Sequence, residues 1–279
     1  MTRPKHALVI EGGGMKGAYA NGVLTAFERT GYCPFDALYG TSAGGALAAW
    51  FSAGQAEYAE ATWDYAADRR ILSYRRMLLG RGPLLDHEAL LDIVYQREHP
   101  IDQEAIRRAR WPVFVTAVDV GSSELLYHDL RKGPVIDWLK ATGRLPFGSG
   151  PPVAIGGRLL LDGGMIDPIP VRKAVEDGAS EVTVLLNNPP GPRRPENLLV
   201  RLVASRRYPA LREGVERHHE IKMRAYGYLG HPPDGVRIHL VHPAAPTGIH
   251  RLTRDLPALH RVIALGRRDG EAHLRARAA

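Results

Sequence analysis

Twice within the first fifty residues, a short apolar run passes through glycines into a stretch typical of a helix. Residues 7–11 lead into Gly12-Gly13-Gly14, and residues 37–39 lead into Gly40-Thr41-Ser42-Ala43-Gly44. A strand that turns through glycine into a helix, repeated at this spacing, indicates a largely parallel sheet with helices on its faces. The sequence therefore predicts an α/β fold of three layers, α/β/α, around a largely parallel central sheet.

The rest of the chain continues this alternation, with one long helical insertion. Further strands are predicted at residues 113–118, 125–127, 159–161, 181–186 and 236–241. Residues 55–110 are polar and helix-like, and residues 145–153 and 187–195 are rich in proline and glycine, which predicts loops. Beyond the second of these loops, the pattern predicts basic helices up to the end of the chain.

The positive charge is concentrated in that last part. The formal net charge is +7, and residues 198–279 hold 15 Lys and Arg against 7 Asp and Glu. Such an excess attracts anionic lipid headgroups or nucleic acid, and it is also typical of a solvated surface. No zinc-finger spacing or aromatic RNA-binding motif accompanies it. The segment is a candidate for peripheral contact with an anionic membrane, and no nucleic-acid partner is expected.

Ser42 lies at the centre of the second glycine turn. A serine where a strand turns sharply into a helix is held in a strained conformation with its hydroxyl exposed. Gly40 and Gly44 are small enough for the strand and the helix to approach each other. The N–H of Ala43 points to the same place, where the helix dipole favours negative charge. The pattern indicates a nucleophile, although a serine that only caps the following helix has the same local sequence.

The first glycine turn continues through Met15 and Lys16 to Gly17, and parallel strands would bring it to the same sheet edge as Ser42. Consecutive glycines can turn their N–H groups toward one point, which makes an oxyanion hole for an attacked ester carbonyl. The spacing Gly12-x-Gly14-x-x-Gly17 also fits a dinucleotide-binding loop. That motif expects an acidic residue at the end of the second strand, where this chain has Gly40-Thr41-Ser42.

An aspartate ends a later apolar run, in the order Leu161-Asp162-Gly163-Gly164. The two glycines turn the chain and let another backbone come close. Partial desolvation would raise the pKa of a carboxyl group there, so that it could accept the hydroxyl proton of Ser42. A turn without a catalytic role fits the same residues.

These three motifs, in this order and spacing, resemble the patatin-like phospholipase family. The resemblance covers about residues 5–190, and it includes residues 141–146, which are similar to the segment upstream of the family's aspartate. It implies a patatin-like fold and a serine esterase that cleaves carboxylic esters of phospholipids, lysophospholipids or acylglycerols. No cofactor is expected. No metal is expected either, because Asp86, His87, Glu88 and His99 do not make HExxH or any other tight ligand set.

The resemblance also implies a set of site residues. The nucleophile is Ser42 and its base is Asp162. The oxyanion hole is formed by Gly12, Gly13, Gly14 and Ala43. The supporting residues are Lys16, Gly17, Gly40, Gly44, Gly163 and Gly164. Residues 1–195 are then expected to form the catalytic domain, and residues 196–279 a basic, mainly helical extension packed on the same domain.

Other functions stay open at this point. A Ser–Asp–His triad is one, because four histidines follow Asp162 in the chain: His239, His242, His250 and His260. Against it, Ser42 comes too early for the strands that normally precede such a nucleophile. His218-His219-Glu220 suits a solvated helix face. A non-catalytic lipid-binding protein and a dinucleotide-binding enzyme are the remaining alternatives, and the complete set of dyad and loop residues argues against the first of these.

One part of the insertion mixes apolar side chains with arginines. These residues are Leu72, Tyr74, Met77, Leu78 and Leu79, among Arg69, Arg70, Arg75, Arg76 and Arg81. The mixture suits an anionic membrane surface or an acyl-chain entrance, and a core-facing helix with solvated arginines is the alternative. The N-terminal apolar run is too short for a signal peptide, and no apolar run is long enough to span a membrane. We therefore expect a cytoplasmic protein.

Overall fold

In the computed structural model, which describes residues 5–191 and 204–278, eight strands form one sheet. The strands are β1 (His6–Ile10), β2 (Ala37–Gly40), β3 (Val113–Asp119), β4 (Leu125–Asp129), β5 (Val153–Ile155), β6 (Arg158–Asp162), β7 (Glu181–Leu185) and β8 (Arg237–Val241). The order is β5-β6-β3-β2-β1-β7-β8, and β4 also pairs with β3. Pairing is parallel from β3 through β2, β1 and β7 to β8, whereas β4, β5 and β6 pair antiparallel. The predicted largely parallel sheet is confirmed.

Helices cover both faces of this sheet. They are α1 (Ala18–Arg29), α2 (Ala43–Ser52), α3 (Tyr58–Ala66), α4 (Tyr74–Leu78), α5 (His87–Asp92), α6 (Gln103–Arg107), α7 (Val135–Gly143), α8 (Val171–Glu176), α9 (Arg212–Glu216), α10 (His218–Gly230) and α11 (Leu256–Ala278). A π-helical turn at Ile93–Glu98 follows α5, and short 3-10 turns lie at Gly14–Gly17, Gly163–Met165 and Pro209–Leu211. The predicted insertion at residues 55–110 contains α3 to α6. The domain boundary predicted at residue 195 lies outside the described residues.

The central strand β1 shows why there are three layers. Its side chains alternate between two faces, and both faces are buried because helices cover each of them. Leu8 and Ile10 belong to a core shared with α1, α2 and α11. Ala7 and Val9 belong to a second core, shared with α8 and α10. The α/β/α arrangement predicted from the sequence is confirmed.

The C-terminal part of the chain is built into the same structure. β8 pairs with β7 over its full length, and α11 crosses α1 with its backbone in close contact. A β-carbon on Gly266 would lie 2.0 Å from the carbonyl oxygen of Tyr19, and one on Gly22 would lie 2.0 Å from that of Ile263. Only glycine permits this approach, so these two positions set the separation of the two helices.

Replacing Gly266 with alanine is therefore expected to destabilise the protein by about 2–4 kcal/mol, because the added methyl group meets a backbone atom that cannot move alone. The matched control is Gly227→Ala in α10. A β-carbon at Gly227 meets nothing within 4 Å, and alanine favours a helix by about 1 kcal/mol over glycine. Thermal unfolding should show a lower Tm for the first variant only. Equal Tm values would mean that the close crossing does not form.

One strand was not predicted. Residues 145–153 were expected to form a loop, but β5 begins at Val153 and pairs with β6, so that Ile155 lies opposite Arg158. The turn between them is Gly156-Gly157, and both glycines have positive φ, as a tight two-residue hairpin requires. The strand is only three residues long, which is too short for its apolar pattern to indicate a strand.

In the described part of the chain, no helix combines the length and the apolar character needed to cross a membrane.

Candidate active site

Ser42 lies in the short turn between β2 and α2. Its φ of 56° is in the left-handed region, where a residue with a side chain is strained by roughly 1–3 kcal/mol. Among the described residues, Ser123 is the only other non-glycine residue with a positive φ. The N–H of Ser42 donates to the Thr142 hydroxyl of α7 at 3.0 Å. Ser42 therefore has the strained backbone expected for a nucleophile at a strand-to-helix turn.

Asp162 reaches this turn because β2 and β6 lie end to end along one edge of β3. Gly40, the last residue of β2, pairs with Val115, and Asp162, the last residue of β6, pairs with Ala117. β4 takes the other edge of β3 over the same residues. The two strands run in opposite directions, so the turn that carries Ser42 and the end of β6 meet in the middle of the sheet.

Burial raises the pKa of Asp162 from its ordinary 3.8 to about 6, because a site poor in solvent disfavours the charged form. Three groups act against burial and lower this pKa. The Gly164 N–H donates to Oδ1 at 2.8 Å, the Ser42 side chain interacts with the carboxyl group, and Arg251 supplies positive charge. The N–H of Asp162 donates to the Arg144 carbonyl at 2.8 Å and holds its backbone. A carboxyl group of this kind is ionised at neutral pH and basic enough to accept a proton.

The first glycine turn is in contact with the serine turn. A β-carbon on Gly12 would lie 2.9 Å from the Thr41 carbonyl oxygen and 3.3 Å from the Ser42 β-carbon. The N–H of Gly12 donates to the carbonyl of Pro168 at 3.1 Å. Gly12 is therefore required for the close approach, and its N–H is already used.

Three of the predicted oxyanion-hole residues keep their N–H groups available. Within the ranges that the structure describes, the N–H groups of Gly13, Gly14 and Ala43 donate to no protein acceptor. Ala43 is the first residue of α2, so the positive end of its dipole lies there. These donors can accommodate an anionic oxygen without giving up an existing hydrogen bond.

The predicted supporting glycines lie where backbones cross closely. A β-carbon on Gly44 would lie 2.4 Å from the Ile10 carbonyl oxygen, and one on Gly163 would lie 2.6 Å from the Thr116 β-carbon. No side chain fits at such distances, so both positions need glycine. The other predicted supporting residues belong to the same three turns: Lys16, Gly17, Gly40 and Gly164.

Beneath the first glycine turn lies a buried polar cluster that sequence reasoning missed. Glu11, only 2% exposed, pairs with Lys222 of α10 at 2.6 Å and accepts from the Tyr226 hydroxyl at 3.2 Å. The N–H of Asn187 donates to its carboxylate at 2.7 Å, and the Asn187 side chain donates to its carbonyl. An acidic residue at the end of a buried strand needs such partners. That requirement was a signal for the cluster, but the sequence does not identify the partners.

Two further residues near the dyad come from the C-terminal part of the chain. The Arg251 carbonyl accepts the N–H of Met15 at 3.1 Å and lies 2.6 Å from where a Gly14 β-carbon would be. Its guanidinium is 3.4 Å from Nε2 of His218, whose Nδ1 is 3.4 Å from the Met165 carbonyl. His218 is buried, so the prediction that it belongs to a solvated face was wrong. Arg251 links the glycine turn to the neighbourhood of Asp162.

Of the four histidines considered for a triad, three form side-chain hydrogen bonds away from the dyad. His239 is 2.9 Å from the Glu181 carboxylate, and His260 is 2.7 Å from that of Asp64. The side chain of His242 bonds to the carbonyl of its neighbour in the chain. In the part of the chain that the structure describes, no histidine hydrogen bond to the dyad is found. No group of three or more His, Cys, Asp or Glu side chains there could hold a metal ion.

Comparisons with known proteins indicate the family of this chain. The family model described as patatin-like phospholipase matches residues 8–175, which include all three motifs. The chain is similar to YjjU of Escherichia coli K12, at 29% identity over 96% of this chain and 76% of YjjU. It is also similar to lysophospholipase NTE1 of Candida albicans, at 27% identity over 63% of this chain and 12% of that protein.

Among solved structures, the chain is similar to VipD from Legionella pneumophila, with a TM-score of 0.49 and 11% identity. That match covers 98% of this chain and 67% of VipD.

Proposed function

The chain belongs to the patatin-like phospholipase family, a family of lipid ester hydrolases, and we propose that it cleaves lipid carboxylic esters through a dyad of Ser42 and Asp162. One observation carries this proposal. A buried carboxyl group with a pKa raised to about 6 interacts with the side chain of a serine held at a strained turn. A binding protein without catalysis has no need of either feature.

In the proposed reaction, the Ser42 hydroxyl oxygen attacks the ester carbonyl carbon and its proton passes to the Asp162 carboxylate. The tetrahedral oxyanion is stabilised by the N–H groups of Gly13, Gly14 and Ala43. As the intermediate collapses, the alcohol leaves with the proton from Asp162. Water then attacks the acyl-serine with Asp162 again as base, which releases the fatty acid and restores the hydroxyl of Ser42.

The proposed substrates are phospholipids, lysophospholipids or acylglycerols. Support comes from the family itself and from the similarity to a protein named lysophospholipase. The chain covers 12% of that relative, so the name of that relative indicates only the class of substrate. We also propose peripheral contact with an anionic membrane. The cytoplasmic location stays a prediction.

We further propose that residues 1–195 carry the chemistry and that residues 196–279 complete the site. The reason is that Lys222 and Tyr226 hold Glu11, and Arg251 holds the glycine turn. In this organisation, the C-terminal extension is part of the catalytic domain.

The proposal is tested by labelling the protein with a fluorophosphonate, which forms a covalent adduct with activated serines, and mapping the adduct by mass spectrometry. We expect a single adduct on Ser42, lost in Ser42→Ala. Ser123→Ala is the matched control, because Ser123 shares the positive φ but its hydroxyl donates to the Ala210 carbonyl. An adduct elsewhere that survives Ser42→Ala, or no adduct in the wild type, contradicts the proposal.

A further inference from the structure

Residues 68–86, between α3 and α5, form a hairpin with an exposed tip, and we call this hairpin the finger. Its two limbs are joined near the base by a bridge between Leu72 and Leu85, and by hydrogen bonds of 2.8 Å from Ser73 to Leu84 and from Asp86 to Ile71. Leu72 was one of the apolar residues that the sequence analysis considered for contact with a membrane surface. In the structure it is buried at the base of the finger. The tip contains α4 and the residues that follow it.

Arg76 holds the shape of the finger. Its guanidinium donates to the Pro83 carbonyl at 2.8 Å, to the Arg70 carbonyl at 2.6 Å and to the Ile71 carbonyl at 2.8 Å. These acceptors lie on both limbs, so one side chain ties them together. The tip is therefore a defined surface, and the charge of Arg76 serves the structure of the finger.

That surface is unusually apolar. Tyr74 is 46% exposed, Leu78 is 79% exposed and Leu79 is 52% exposed. The described residues contain six large hydrophobic side chains that are at least 36% exposed, and half of them lie within the six consecutive positions 74–79. Clustered apolar side chains on a surface mark a contact with a partner or a membrane.

The surroundings of the tip are basic. The finger contains five arginines and two aspartates. Arg70 pairs with Asp68, whereas Arg69, Arg75 and Arg81 are exposed and make no ion pair within the described ranges. Apolar side chains surrounded by unpaired arginines match the surface of an anionic bilayer. The apolar side chains suit its acyl chains, and the arginines suit its phosphates.

The base of the finger is connected to the dyad. Leu85 donates to the Gly148 carbonyl at 2.8 Å. Gly148 belongs to the segment that starts at Arg144, whose carbonyl accepts the N–H of Asp162. The same segment follows α7, which holds the N–H of Ser42 through Thr142. A bilayer bound at the tip is thus connected through the base of the finger to the segment that supports both members of the dyad.

We propose that the finger docks this chain on the surface of an anionic phospholipid bilayer, with Tyr74, Leu78 and Leu79 among the upper acyl chains and Arg69, Arg75 and Arg81 on the phosphates. The proposal rests on the proposed function, because it supplies the dyad with lipid. A bilayer fits better than a protein partner, since three apolar side chains are far fewer than a stable protein interface buries.

The test is co-sedimentation of the full chain with vesicles of diether phospholipids, which contain no carboxylic ester and cannot be consumed. One set contains equal parts of phosphatidylcholine and phosphatidylglycerol, and the other contains phosphatidylcholine alone. We expect binding to the anionic set, and about tenfold weaker binding for Leu78→Ser/Leu79→Ser and for Arg75→Gln/Arg81→Gln. Hydrolysis of a soluble p-nitrophenyl ester should be unchanged in both variants, which shows that they fold.

Two control variants test whether the loss of vesicle binding is specific to the finger. Leu159→Ser removes an apolar side chain that is 51% exposed on β6. Arg261→Gln/Arg268→Gln removes two exposed arginines from α11, which lowers the net charge as much as the finger variant does. Both should bind vesicles like the wild type.

Several outcomes overturn the proposal. These are no vesicle binding by the wild type, finger variants that bind like the wild type, or an equal loss in the α11 variant. If the wild type is a dimer and Leu78→Ser/Leu79→Ser is a monomer, the finger binds a second copy of the chain and not a bilayer. Failure of the proposed function is a separate result, because it appears as absent turnover of the soluble ester whatever the vesicles show.

Discussion

Ser42→Ala is expected to lower kcat/KM for a short p-nitrophenyl ester by at least ~10³-fold, because the variant has no oxygen to form the acyl-enzyme. The remaining rate should be close to that of the oxyanion donors acting on water alone. The measurement is the initial rate of p-nitrophenolate release, with substrate below KM. Alanine has the same backbone preference as serine at a positive φ, so the strain at position 42 and the Tm should change little.

Two observations would contradict this role of Ser42. One is a variant that keeps a large part of the wild-type rate. The other is a loss of rate accompanied by a large fall in Tm, which would mean that Ser42 supports the turn between β2 and α2 instead of the chemistry. The bond from the Ser42 N–H to Thr142 involves only the backbone of Ser42, so it should persist in the variant.

Asp162→Asn is expected to lower kcat/KM for the same ester by ~10²–10⁴-fold, because an amide cannot accept the serine proton. In the wild type, kcat/KM should rise with pH and level off above about 6, where the carboxyl group is ionised. The variant should lose this rise. The measurement is a pH–rate profile from about pH 5 to about pH 8, which spans the ionisation of the free enzyme.

Although Asp162→Asn should lower the activity, it should not lower the stability of the fold at neutral pH. The pKa of Asp162 in the folded protein, about 6, is above its ordinary 3.8, so folding favours the protonated form. The stability that this gives is present at low pH and is lost as the pH rises through about 6. Asparagine carries no charge, and the Tm of the variant at neutral pH should equal or exceed that of the wild type.

Asp167→Asn is the matched control for the pH profile. Burial also raises the pKa of Asp167 to about 6, and Asp167 belongs to the same turn. Its carboxylate accepts a hydrogen bond from the Tyr127 hydroxyl at 2.6 Å. We expect this variant to keep the rise in rate near pH 6. If the rise disappears here and persists in Asp162→Asn, Asp167 and not Asp162 is the titrating group.

The local features of the site were predictable from the sequence because they depend on neighbouring residues. A strand that turns through small residues into a helix leaves a pattern within ten positions, so the turn at Ser42 and the glycine turn at residues 12–14 were identified directly. Burial of β1 on both faces also follows from its unbroken apolar run. The motif at Asp162 also fitted a turn without a catalytic role, and the family resemblance favoured its pairing with Ser42.

The tertiary structure decided which distant residues meet. β6 runs antiparallel to β3 and ends against β2, and this pairing brings Asp162 to Ser42 from 120 positions along the chain. The short strand β5, the burial of His218 and the partners of Glu11 depend in the same way on distant contacts. An apolar or charged residue shows in its sequence context that it needs a partner, but not which one. The free energy of a long-range contact depends on the whole packed arrangement.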